Sequence, residues 1–176
     1  IQSNSAQRGD GGGVYLWYSA ATLYNNVLAA NEVFSNGTGL YIRGSSPRLR
    51  HNTVVSNTGG DGSGIYVAAG TVVMTNTILV SHTVGISVTG GSTVTVNGIL
   101  WYGTPITVSQ SPAATVSVQN QYTGDPAFVN PAGGDYHIRP VSAAVDDGVE
   151  TDLPLDVDGD YRPLAGPPDL GADEVI

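Results

Sequence analysis

The sequence predicts an all-β solenoid, a chain wound into stacked coils, and three observations carry that prediction. A Gly followed by a short alternating strand recurs as Gly13-Val14-Tyr15-Leu16, Gly39-Leu40-Tyr41-Ile42, Gly64-Ile65-Tyr66-Val67 and Gly85-Ile86-Ser87-Val88, with a Gly-less echo at Pro105-Ile106-Thr107-Val108. The intervals of 26, 25, 21 and 20 residues suit one supersecondary unit per copy. An internal Asn follows the second strand each time, at Asn26, Asn52, Asn76 and Asn97, with Gln119 or Asn120 in the fifth copy. Finally, no stretch keeps a helical apolar period, whereas 24 Gly with abundant Thr, Ser, Asn and Val favour turns and short strands.

Taken in order, residues 1–12 read as the end of a preceding coil and its turn, with glycines supplying positive φ where the chain bends. Because the chain begins inside a coil, it reads as a piece of a longer solenoid. Coils follow at about 13–38, 39–63, 64–84, 85–104 and 105–122. Alternation in the strand after each Gly sends Val14 and Leu16, Leu40 and Ile42, Ile65 and Val67, and Ile86 and Val88 inward, and their neighbours outward. A second inward column is expected at Leu23, Leu49, Val73, Val94 and Val116, and a third at Leu28, Val54, Ile78 and Ile99. The repeated Asn tolerates left-handed backbone at a corner, and its amide can bond the Asn one coil away, about 4.8 Å. A shorter ladder is expected at Asn31, Asn57 and Ser81.

Composition shifts after the coils. Residues 1–124 hold three acids (Asp10, Glu32, Asp61) and four arginines, while 125–176 hold the other twelve acids and two arginines. Seven of the ten prolines also lie beyond residue 122, and proline removes ladder donors, so residues 123–176 are expected to form an irregular cap over the open end of the last coil. Phe128, Tyr136, Ile138, Val145 and Leu170 would pack down. The net charge of −9 and the absence of Lys argue against a nucleic-acid partner. With no Cys there is no disulfide framework or thiolate site, and no apolar stretch is long enough for a membrane span.

The Gly-x-Tyr-x strand, the Ser45-Ser46-Pro47 corner and His51-Asn52-Thr53-Val54-Val55-Ser56-Asn57 resemble the right-handed parallel β-helix repeats of the pectin-lyase-like superfamily. That resemblance covers roughly residues 9–122 and implies a right-handed parallel β-helix of about five coils. Gly124-Asp125-Pro126, Gly134-Asp135-Tyr136-His137-Ile138, Asp156-Val157-Asp158-Gly159-Asp160-Tyr161-Arg162-Pro163 and Asp169-Leu170-Gly171-Ala172-Asp173-Glu174 resemble the C-terminal module of bacterial secreted β-helix proteins called choice-of-anchor Q. An extracellular or cell-surface location is what this second likeness implies.

Four groups of residues are candidates for chemistry. Tyr15, Tyr41 and Tyr66 fall in one outward column and Trp17 and Arg43 side by side in the next, a pattern that suits a sugar chain because C–H faces pack on aromatic rings while Arg binds hydroxyls or carboxylates. The competing reading is that Gly-x-Tyr is repeat consensus shielding the sheet. Asp10, Asn36 and Asp61 each precede a repeat Gly by three residues. The two carboxylates would lie about 9.6 Å apart by sheet spacing, at the far edge of inverting glycoside hydrolysis, and turn capping or calcium are the alternatives. Arg48, Arg50 and His51, with Glu32 near, could supply a lyase base, although His51 has inward parity and His82 and His137 are isolated. Asp152, Asp156, Asp158 and Asp160 resemble a calcium loop without the spacing of an EF-hand, the metal candidates being Asp156, Asp158 and Asp160.

Two functions follow from these groups. One is a non-catalytic solenoid, structural or glycan-binding through Tyr15, Trp17, Tyr41, Arg43 and Tyr66, with no required cofactor beyond an optional calcium ion. The other is a polysaccharide lyase or glycoside hydrolase whose remaining residues lie in coils upstream. End-to-end self-association through uncovered coils is a further expectation.

Overall fold

The computed structural model describes residues 1–164 and 166–175, so positions 165 and 176 of the expected cap lie outside it. The strands after the repeat glycines, Val14–Trp17, Leu40–Arg43, Ser63–Ala68, Val84–Thr89 and Ile106–Gln110, stack in parallel as one five-stranded sheet. A second parallel sheet stacks Thr22–Tyr24, Arg48–Arg50, Thr71–Val80, Thr93–Tyr102 and Thr115–Thr123. Val27–Ala29 and Thr53–Val55 continue that side in the first two coils and pair onward to the second half of Thr71–Val80. A third sheet holds only Ser5–Ala6, Glu32–Val33 and Thr58–Gly59. The chain is thus a parallel β-helix of about five coils.

The first sheet follows the alternation in the sequence. Leu40, Ile42, Ile65, Val67, Ile86 and Val88 form an almost fully buried column, with Val14 and Leu16 half-buried at its start. The repeat glycines answer a demand for space, since a Cβ on Gly39 would lie 2.7 Å from Val54 Cγ1 and one on Gly64 would lie 2.9 Å from Leu79 Cδ2.

Elsewhere the register departs from the expected columns. Leu23 and Leu49 align with Met74, Val96 and Val118, whereas Val73 pairs with outward Arg48 and is 38 % exposed. Val94 and Val116 belong to a neighbouring inward column with Val72. Leu28 and Val54 align with Leu79 and Trp101, and Ile78, which pairs with Thr53, faces away from the core. In the fifth coil Val108, not Ile106, pairs with Ile86, a two-residue shift. Such a shift keeps the inward and outward parity, so hydrophobic alternation alone does not reveal it.

The cause of the slips is that each corner is defined by backbone conformation and not by Asn. Asn25, His51, Asn76, Gly98 and Asn120 occupy successive positions of one corner, with φ between 47° and 80°. His51 therefore aligns with Asn76 and Gly98 and does not take the inward position that its parity implied. A second left-handed column runs through Ser3, Ala30, Ser56, Ser81 and Gly103, with φ between 50° and 60°. The first Asn ladder forms in two pieces, Asn26 to Asn52, whose Oδ1 accepts the Asn26 amide at 3.1 Å, and Asn120 to Asn97 at 2.7 Å, and it is interrupted at Asn76. The second runs from Asn4 through Asn31 to Asn57 and ends on His82, where Ser81 had been expected.

The C-terminal segment also lies elsewhere than expected. It leaves the last coil, folds through an antiparallel pair of Phe128–Asn130 with Asp135–Ile138 whose turn reaches Gln2, and its residues 149–155 then run along the flank of the solenoid from Asn76 toward Asn25 in the first coil. Corner residues receive it in reverse order: Asn76 exchanges hydrogen bonds with Val149 N and O at 2.9 and 2.7 Å, His51 Nε2 meets Thr151 Oγ1 at 2.9 Å, and Asn25 Nδ2 donates to Leu155 O at 2.8 Å. Arg50 pairs with Asp152 beside them. Beneath this strap, outward Ala29, Val55, Ile78, Val80 and Leu100 pack against Tyr136, Ile138, Ala144 and Leu170 in a second apolar core. The segment goes to the flank because those outward apolar side chains leave a stripe there for it to cover, whereas the edge strands of the fifth coil carry many polar residues. The edge strands Ile106–Gln110 and Thr115–Thr123 stay mostly exposed.

Two outcomes test this packing. Leu170 is fully buried in the second core, so Leu170→Ala should lower stability by about 2–5 kcal/mol in urea unfolding, and a change near zero would mean that the strap is not docked. His82 is a buried ring whose pKa burial lowers from 6.5 to about 4. Between those values the unfolded chain binds the extra proton, so stability is present above pH 6.5 and is lost as the pH falls toward 4. Relative to His82→Gln, the native chain should lose on the order of 1 kcal/mol per pH unit in that window, and parallel profiles would refute the assignment.

Candidate functional site

The outward residues of the first sheet come together as the sequence led one to expect. Tyr15, Tyr41 and Tyr66 stack ring on ring, at 5.1 and 5.3 Å between centroids and 14° and 11° between planes. Trp17 and Arg43 are direct cross-strand partners in the neighbouring column. The use of the rings differs from the expectation, because stacked tyrosines spend their faces on one another. Tyr41 is only 6 % exposed, and its phenol pKa is raised by burial and by nearby Asp10. The free aromatic surface lies at the end of the stack: Tyr15 is 43 % exposed, Trp17 65 % and Tyr18 77 %. Tyr18 stands at a left-handed corner with φ 46°, and its ring rests on Gly44, where any Cβ would intrude.

Around the corner, the second sheet places exposed Tyr24 and the arginines Arg48 and Arg50 in the first two coils. A groove of about 520 Å³ opens there between the sheet and the strap, lined by Arg48, Arg50, Val73, Thr75 and Asn97 on one side and Val149, Glu150, Thr151 and Asp152 on the other. Glu32 lies on the third sheet, hydrogen-bonded to Ser5, and is not part of this group. His51 faces the strap, and burial lowers its pKa to about 3, so it stays neutral. Asn76 Nδ2 sits 3.1 Å from its Nε2.

The carboxylates of the coils are engaged in turns. Asp10 Oδ1 accepts the backbone and side-chain amides of Asn36 at 3.1 and 2.8 Å, and Asp61 Oδ1 accepts Gly37 N, Ser63 N and Ser63 Oγ. These bonds fix the loops beside the tyrosine strands, as Asx turns do.

The acids of the strap have a similar task. Asp156 Oδ1 accepts the N–H groups of Asp158, Gly159 and Asp160, each at 2.9 Å, and its Oδ2 accepts Glu174 N at 3.1 Å. Asp169 accepts Asp146 N and Val175 N, and Glu174 accepts Leu164 N and Asp169 N while pairing with buried Arg162 at 3.1 Å. Asp156, Asp158 and Asp160 therefore do not converge on one point, because the first is turned to backbone donors and the second to His137. Among the described residues, the three groups whose ligand atoms do converge are His137, Asp158 and Asp173. The sequence reading had left His137 isolated. Its only signal was the Asp135-Tyr136-His137 alternation, which puts an acid and the imidazole on the same strand face.

A family model described as right handed beta helix region matches residues 1–99. No curated protein and no solved structure matches the chain.

The role of Asp156 as a backbone acceptor has a direct consequence. Asp156→Ala should cost about 1–3 kcal/mol, since four backbone N–H groups, that of Glu174 buried, lose their acceptor, and the loss should be equal with and without added Ca²⁺. A loss seen only in Ca²⁺ would restore the calcium-loop assignment.

Proposed function

Because this chain belongs to the right-handed β-helix family, we propose that it is a non-catalytic glycan-binding solenoid, secreted or held at a cell surface. The observation that carries the reading is the cross-strand pair of exposed Trp17 and Arg43 at the end of the tyrosine stack. A pyranose ring seated on the Trp17 indole would place its hydroxyls or carboxylate against the Arg43 guanidinium. Tyr15 and Tyr18 extend the free aromatic area.

Charge supports an acidic glycan. The first 124 residues carry four arginines against three acids, and three of the arginines lie in the second coil, so the face is close to neutral although the whole chain is at −9. Engagement of Asp10 and Asp61 by backbone donors supports a binding role over hydrolysis, which needs two free carboxylates flanking the scissile bond. The likeness of the C-terminal motifs to choice-of-anchor Q modules supports display outside the cell.

The test is retention on immobilised acidic polysaccharides. Trp17→Ala and Arg43→Ala should each weaken retention by about tenfold, each contact contributing on the order of 1–2 kcal/mol, and the Arg43 contribution should fade with added salt. Unchanged retention in both variants would remove the reading. Release of reducing ends or unsaturated products from the same polysaccharides would select the lyase or hydrolase alternative.

A further inference from the structure

Three separate pieces of the strap bring ligating side chains to one place: the strand Asp135–Ile138, the loop around Asp158 and the segment around Asp173. His137 Nε2 lies 2.7 Å from Asp158 Oδ2, and the ligand atoms of His137, Asp158 and Asp173 all lie within 4.8 Å of one another. The imidazole is oriented from behind, with Nδ1 at 2.5 Å from Asp135 Oδ1. Nε2 shares a proton with Asp158, and a divalent ion would take that proton's place between them, while Asp135 on Nδ1 supplies the outer-shell carboxylate that orients metal-bound imidazoles.

Asp173 adds an independent sign. It is 8 % exposed, and its Oδ2 accepts Ile138 N at 2.7 Å, but no hydrogen bond reaches Oδ1 among the described residues. The backbone bond fixes the carboxylate by one oxygen and leaves the other at the cavity wall, where it can take a ligand. The residue lines a cavity of about 330 Å³ together with His137 and Asp158, and the opposite wall carries Gln2, Asn25 and Asn26 of the solenoid.

We propose that His137, Asp158 and Asp173 form a divalent-cation site of the zinc class, with the remaining coordination position open to this cavity. One imidazole nitrogen and two carboxylate oxygens suit Zn²⁺, whereas Ca²⁺ favours about six or more oxygens. Four-coordinate bonds of about 2.0–2.2 Å space ligand atoms roughly 3.4 Å apart, so the side chains need shift by only about 1 Å. Only Asp158 is shared with the calcium trio read from the sequence, and the ion would join three strap segments beside the first coil. The site is independent of the glycan reading.

The full chain, treated with chelator and then titrated with Zn²⁺ alone, should bind one ion and melt at a higher temperature, while Ca²⁺ at the same concentration should leave the melting temperature unchanged. His137→Ala and Asp158→Asn should each weaken Zn²⁺ affinity by at least about tenfold and abolish the visible absorption of the Co²⁺-loaded chain, while His82→Gln should keep both. Asp158→Asn keeps the size of a half-exposed side chain that accepts no backbone bond, so it remains informative if His137→Ala fails to fold. No Zn²⁺-dependent shift, or a shift undiminished in Asp158→Asn, overturns the site.

Discussion

The structure depends on a corner that repeats with the same left-handed backbone in every coil. Asn25, His51, Asn76, Gly98 and Asn120 hold it at successive levels, and it turns the chain from one half of the second side to the next. A positive φ is costly for most side chains, and Asn and Gly carry it most easily. The corner does more than bend the chain. Asn76 is released from the amide ladder and gives both its amide groups to the backbone of Val149, as a neighbouring strand would. His51 and Asn25 continue the same rail with a ring nitrogen and an amide.

The strap that binds this rail has almost no regular structure, and its carboxylates replace a ladder of carbonyls. Asp156, Asp169 and Glu174 accept backbone N–H groups from one another's segments, and Arg162 balances part of their charge from within. Burial raises the pKa of Asp169, Asp173 and Glu174, and that of Asp173 reaches about 6. The acidic half of the chain is therefore gathered on one flank. The exposed aromatic residues and Arg43 are left on the first sheet, while Arg48 and Arg50 face Glu150 and Asp152 of the strap across the groove.

Most of the architecture was legible in the residues. The Gly-x-Tyr repeat located the first sheet, the Tyr column and the Trp17–Arg43 pairing, because alternation has a strict period and the glycines mark its start. The second side was legible only in part. Counting from Asn placed Val73 and Ile78 inward, since the eye follows residue type while the coil follows conformation, and His51 and Gly98 occupy corners that carry no Asn. The shorter later coils, which omit the third sheet after Gly59, moved the count further. The convergence of His137 with Asp158 and Asp173 was hidden for another reason: it joins three irregular segments, and no periodicity relates them.

The return of the strap changes how the whole molecule should fold and melt. A bare solenoid is a one-dimensional stack in which each coil answers only to its neighbours, and its ends can fray separately. Here residues that follow the fifth coil are bonded to Gln2, just ahead of the first coil, and to Asn25 within it, closing a circuit more than a hundred residues long. Such a closure charges its entropic cost late and couples distant layers, so unfolding should proceed as one concerted event with a slow return, unlike the graded unzipping of open repeats.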